Sequence, residues 1–137
     1  MSKRQISSEI RTRIKKIAGV YGFSLVVLFG SYAEGRNRKD SDVDIGYMRN
    51  NKLSSEDEMK LARDLALLFG ASRADLVYIP DASPLFMYTI LENGTVLFEK
   101  DSTLFPSLYT YAVKRFQENL PLYKMRFNYL CEQYKVN

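Results

Sequence analysis

Gly30-Ser31-Tyr32-Ala33-Glu34-Gly35-Arg36-Asn37-Arg38-Lys39-Asp40-Ser41-Asp42-Val43-Asp44 opens on a Gly-Ser step, runs ten further residues and closes on Asp-x-Asp. Immediately before it, residues 24–29 read SLVVLF, a short apolar and β-branched run between glycines. That composition predicts a buried strand. Immediately after it, residues 41–48 alternate polar and apolar side chains, the pattern of a half-buried strand. Asp42 and Asp44 then project from one face, and Val43 and Ile45 from the other. The Gly-Ser step therefore leaves one strand, and the Asp-x-Asp enters the next.

Each part of this stretch has a chemical use. Gly30 lets the backbone come close to a phosphate. The amides of Gly30 and Ser31, with a short helical turn behind them, present donors and a positive dipole end to an anion. Ser31 adds a hydroxyl donor, or caps that turn through to Glu34. Asp42 and Asp44 set two carboxylates side by side, which is costly unless a cation neutralises them. Two divalent ions about 3.5–4 Å apart, bridged by carboxylates, suit in-line phosphoryl or nucleotidyl transfer. Asp75 is the candidate third carboxylate. It interrupts the apolar run at residues 74–79 and shares a face with Val77 and Ile79. Taken alone, Asp75 also reads as a strand-edge aspartate or a paired core carboxylate.

Working outward, Ile6, Ile10, Ile14 and Ile17 recur at helical spacing, predicting a helix over 8–21 stopped by Gly22. A second helix is expected over 55–69. Ser55 and Glu58 form its capping box, Leu61, Leu65 and Leu68 its stripe, and Gly70 its stop. A third strand over 74–79 ends at Pro80. A short helix over 84–91, an Asn93-Gly94 turn and a strand over 95–98 follow. The last third is helical, with Pro121 expected to kink or break it. The order α-β-α-β-α-β-α-β-α predicts an α/β (α+β) fold, a small mixed β-sheet flanked by helices with C-terminal helices. The whole of 1–137 reads as one domain, with a core over about 22–100 and a helical segment over about 103–135.

Composition narrows the chemistry. The chain has no histidine and one cysteine, Cys131. Ser-His-Asp and Cys-His catalysis are removed, as are the common zinc sites. Acid–base and metal chemistry must run on carboxylates, which favours Mg²⁺, or Mn²⁺ in its place. The lone thiol fits a helix-packing role and a reducing cytoplasm. The net charge of +4 is compatible with phosphate-bearing ligands. No apolar run has the length of a membrane span, and the N-terminus lacks a signal-peptide apolar core.

With these residues in place, the chain resembles the DNA polymerase β-type nucleotidyltransferase superfamily. The resemblance rests on Gly30-Ser31, the ten-residue spacing, Asp42-x-Asp44 and the later strand aspartate. Length and the helical tail around Leu120-Pro121-Leu122 are similar to the minimal nucleotidyltransferases, the MNT-type antitoxins that accompany HEPN-type toxins in bacteria and archaea. The resemblance implies a polymerase β-like fold and two Mg²⁺ ions held by Asp42, Asp44 and Asp75. It implies that Ser31 and the Gly30 amide hold the β- and γ-phosphates of ATP, and that Asp75 also accepts the proton of the attacking hydroxyl. It implies a HEPN-type toxin as partner, with AMP transfer onto a toxin tyrosine. Related proteins often carry Arg one and three residues after the serine, where this chain has Tyr32 and Glu34. Arg36, Arg38 or Lys39 are the substitutes, and Arg36 is the candidate phosphate ligand.

Other readings have less support. Gly30-x4-Gly35 has the glycine spacing of a P-loop, but Arg36 and Asn37 stand where Lys and Ser/Thr are needed. No GxGxxG exists for a dinucleotide fold. A non-catalytic antitoxin acting by binding, and a transferase for a small-molecule hydroxyl, remain as alternatives. Ten tyrosines are present, five of them at Tyr109, Tyr111, Tyr123, Tyr129 and Tyr134. They read equally as core packing or as a partner surface, in a hetero-oligomer or a homodimer. A nucleic-acid partner is not expected.

Overall fold

The computed structural model describes residues 5–35 and 42–134. Helix α1 spans Ser8–Tyr21, strand β1 Leu25–Phe29, the single-turn helix α2 Gly30–Ala33 and strand β2 Val43–Met48. Helix α3 spans Ser55–Phe69, strand β3 Ala74–Tyr78, helix α4 Pro84–Asn93, strand β4 Thr95–Glu99 and helix α5 Leu104–Tyr134. A 3₁₀ turn, Ile79–Asp81, joins β3 to α4. The predicted element order is therefore the observed one.

The four strands form one mixed sheet in the order β3-β2-β1-β4. β1 is antiparallel to both β2 and β4, whereas β2 and β3 run parallel. Every residue of β1 is buried, as a central strand covered on both faces requires. Val26 and Leu28 pack on one face with Val43, Ile45 and Tyr47, beneath α1 and α3. Leu25, Val27 and Phe29 pack on the other face with Ile79, Met87 and Ile90, beneath α4 and the first half of α5. Period-two alternation thus sorts β1 and β2 into two cores. It also leaves Asp44 on the α4 side, apart from Val43 and Ile45.

Helix ends follow local chemistry, with two corrections. Ser7 caps α1, its hydroxyl accepting from the Ile10 amide, and Gly22 closes the helix with a positive φ of 70°. The cap of α3 is Ser54, which accepts from the Asp57 amide, rather than Ser55 with Glu58. Glu58 is turned to the Tyr47 hydroxyl at 2.7 Å, giving that buried phenol an acceptor. Ser31 likewise does not cap α2. Phe29 is its N-cap, without a side-chain hydrogen bond, because the helix already begins at Gly30 and Ser31 lies inside it.

Two features differ in the second half. α4 runs through Asn93, and Gly94 continues in extended backbone (φ −81°, ψ 160°), so Asn93-Gly94 is a helix-to-strand step rather than a turn. A β-carbon on Gly94 would collide with the Ile90 carbonyl and Val27. Pro121 does not break the last helix, which is continuous for 31 residues, about 46 Å. A proline forfeits one amide donor but keeps a φ compatible with helix, so the turns on either side hold their own bonds.

α5 has two environments. Its first half docks on α4, with Tyr88 stacked on Phe116 at 4.7 Å and Ala112 fully buried. Beyond Pro121 it leaves the body, and Leu122, Met125, Phe127, Tyr129, Leu130 and Tyr134 are all exposed. The tyrosines divide accordingly. Tyr109 packs beside Phe105 and donates to Glu92, a bond that pushes its hydroxyl up to about 12. Tyr111, Tyr129 and Tyr134 face outward. Cys131 is a free, half-buried thiol on the outer half of this helix. Among the described residues no helix is long and apolar enough to cross a membrane.

Candidate active site

Strand pairing assembles the site. Phe29, the last residue of β1, lies opposite Asp44 in β2, and Asp44 lies opposite Asp75 in β3. Two carboxylates from sequence-distant strands therefore stand side by side at one end of the sheet. Asp42 precedes β2 by one residue, and the Val43 amide donates to the Arg73 carbonyl at 2.9 Å, tying the two strand entrances together. Asp75 does continue the face of Val77 and Ile79, as its spacing predicted. It sits at the open end of that face, with its side chain 44% exposed, so the position patterned for burial is the rim of the core.

Gly30 closes the site from the side of β1. The chain turns there with φ of 77°, a conformation that glycine adopts freely. The space a side chain would fill is taken by the carboxylate of Asp44, whose Cγ would lie 3.2 Å from a β-carbon on Gly30. Ser31, half-buried, follows in the first turn of α2. Tyr32 is turned into the body, its ring against Phe69 at 5.4 Å and its hydroxyl donating to the Phe69 carbonyl. It anchors α2 to α3 and leaves no phosphate clamp at that position. Arg36, Arg38 and Lys39 lie outside the described residues.

The electrostatics are those of crowded carboxylates. Asp44 is held above the usual carboxylate range, first by burial, then by the neighbouring charges of Asp75 and Asp42. One cation opposes this. The Nη2 of Arg73 donates to Oδ2 of Asp42 at 3.1 Å and to Oδ2 of Asp75 at 3.3 Å. Sequence reasoning passed over Arg73, although its position two residues before Asp75 places both on one face of an extended chain. Among the described residues, no three acidic, His or Cys side chains are gathered closely enough to cage an ion. The donor set nonetheless fits a hard divalent cation. It consists of oxygen ligands only, and its repulsion already recruits a positive group.

A groove of about 500 Å³ lies between α1 and α3 and is lined by Arg13, Lys16, Ile17, Asp64, Leu67 and Leu68. None of the three aspartates borders it. The carboxylates lie instead at the open rim above β2 and β3, at the end of the sheet where Phe29 and Phe86 meet edge to face at 5.9 Å.

Comparison with known proteins identifies the family. The family described as polymerase beta, nucleotidyltransferase, matches residues 12–103, a span that contains every described site residue. Over 107 residues the chain is 29% identical to the protein adenylyltransferase MntA of Shewanella oneidensis, covering 77% of this chain and 72% of that protein. It superposes with a TM-score of 0.76 on a chain from a crystal structure of a toxin–antitoxin with AMP-PNP, at 21% identity over 88% of this chain and 97% of the other. A TM-score of 0.73 relates it to a chain from the tri-AMPylated Shewanella oneidensis HEPN toxin in complex with its MNT antitoxin, at 20% identity over 91% and 98%. The two structural likenesses carry the fold.

Proposed function

Because the chain belongs to the polymerase beta nucleotidyltransferase family, we propose that it transfers AMP from ATP to a tyrosine hydroxyl of a cognate HEPN-type toxin and so acts as an antitoxin. The observation that carries this reading is the direct pairing of Asp44 with Asp75 across β2 and β3, with Asp42 two residues before Asp44 and the Gly30-Ser31 turn against Asp44.

Asp42, Asp44 and Asp75 would hold two Mg²⁺ ions, or Mn²⁺, which supply charge neutralisation for the triphosphate and the leaving group. The amides of Gly30 and Ser31 and the Ser31 hydroxyl would receive the β- and γ-phosphates. Arg36 is our candidate for a further phosphate contact. The acceptor oxygen attacks the α-phosphorus, the bond to the β-phosphate oxygen breaks, and pyrophosphate leaves. Asp75, half-exposed on the edge strand β3, would take the acceptor's proton. A reaction fed by ATP also fits a cytoplasmic protein.

The toxin partner is inferred from the relatives, which include a protein adenylyltransferase and chains of toxin–antitoxin structures. The exposed outer half of α5 suits a protein partner, because aromatic residues and Met are enriched in interface cores. That same helix favours the second reading, a sheath that neutralises by binding alone. Labelled ATP incubated with the chain, Mg²⁺ and its toxin decides between them. Label on the toxin supports the transferase, and growth protection without label supports the sheath.

A further inference from the structure

One charged group at the rim has no part in the reaction above. Arg73 reaches Asp42 and Asp75 through a single nitrogen, so one guanidinium edge spans carboxylates from two adjacent strands. Asp44 stands between the two strands' entrances and interacts with Arg73 only through space. An oxygen that accepts from Arg73 shares its negative charge with the guanidinium and is a poorer ligand for an ion while it does so. The arginine side chain is 68% exposed, so turning it into water disturbs no packing.

We infer that Arg73 is a resident counter-cation: it draws Asp42 and Asp75 onto itself in the metal-free protein, and an incoming divalent ion must displace it. The inference rests on the metal-binding reading above. Arg73 is a positioning residue that acts through the two carboxylates. It relieves their repulsion before metal arrives and competes with metal for their oxygens. A residue that merely pre-arranged the ligands would have the opposite effect on affinity.

The test titrates Mn²⁺ alone into the full chain, without nucleotide, and follows free ion by electron paramagnetic resonance. Wild type, Arg73→Gln and Arg73→Lys are compared, with thermal melts in EDTA and in Mn²⁺. Loss of two exposed ion pairs should raise Mn²⁺ affinity roughly three- to tenfold in Arg73→Gln. Arg73→Lys should fall between, since it keeps the charge but loses the planar fork. In EDTA the Gln variant should melt below wild type, and Mn²⁺ should close that gap. Equal or weaker Mn²⁺ binding by Arg73→Gln, with wild type binding normally, overturns the inference and leaves the metal site standing. Should the Gln variant not fold, Arg73→Lys decides on the same affinity reading. Silence of all three chains towards Mn²⁺ overturns the metal reading and the inference together.

Discussion

The carboxylate of Asp44 fills the volume that a side chain on Gly30 would need. The glycine proposed to admit phosphate therefore also makes room for the Asp44 carboxylate. Gly30→Ala should strain a backbone at φ of 77° by about 1–2 kcal/mol and displace Asp44 as well. Gly22→Ala is the control, since Gly22 has φ of 70° but open space around it and lies at the far end of β1. Melting curves should show similar losses for the two variants, while AMP transfer should collapse only in Gly30→Ala. Full transfer by a folded Gly30→Ala chain would place the reacting centre elsewhere.

Replacing both Asp42 and Asp44 by Asn keeps shape and removes charge. Transfer of labelled AMP should fall by several orders of magnitude, because neutralisation of the developing charge supplies much of the rate. Pull-down of the toxin should be unchanged, since α5 lies apart from the carboxylates. Co-expression with the toxin then reads out the biology. Growth lost along with label means that protection is catalytic.

Asp44 sets a pH dependence whose sign can be worked out. Its folded-state pKa is raised from 3.8, so the folded chain binds more protons than the unfolded one between the two values. Stability of the metal-free protein from this group is therefore greatest in acid and falls as pH rises through the raised pKa. In EDTA at neutral pH, Asp44→Asn should melt above wild type, and the difference should vanish as pH drops towards 3.8. A constant difference across that range would show that crowding of charge is not its source.

Mg²⁺ with ATP should raise the melting temperature of the wild type. Ligand at about 100 times its Kd adds roughly 2.7 kcal/mol to the folded state. The gain should disappear in EDTA and in the double Asn variant. Ser31→Ala, which removes one hydroxyl but keeps the amides, should weaken ATP binding by only about 0.5–1.5 kcal/mol.

Phe127 and Leu130, exposed on the outer half of α5, provide the test of the partner surface. Phe127→Glu and Leu130→Glu together should cost on the order of 2 kcal/mol or more of toxin binding if they sit at the centre of the contact. Mn²⁺ affinity should stay at the wild-type value. Unaltered toxin binding would move the contact off this helix.

Much of the molecule was legible in order of residues alone. Ile10 and Ile14 at helical spacing, Gly22 and Gly70 as stops, and the alternation of residues 43–47 specify elements because helix and strand periods are local properties of the chain. Asp42 and Asp44 could be read as a pair for the same reason, being two apart at the entrance of one strand. The caps at Ser54 and Phe29 lie one and two residues before the expected Ser55 and Ser31, because neighbouring residues compete for a cap and only the final dihedral angles choose between them. Pro121 does not break α5, because a single lost bond is weighed against a whole helix.

What the sequence by itself determined was the identity of the elements and the types of ligand, since both follow from spacing within a few residues. Only the tertiary structure decided that Asp75 stands directly beside Asp44, that Asp44 fills the space next to Gly30, and that Arg73 bridges Asp42 and Asp75. Those relations depend on strand order, register and the handedness of one backbone turn. Such quantities are fixed by burying two faces of one sheet at once, and no local run of residues encodes them.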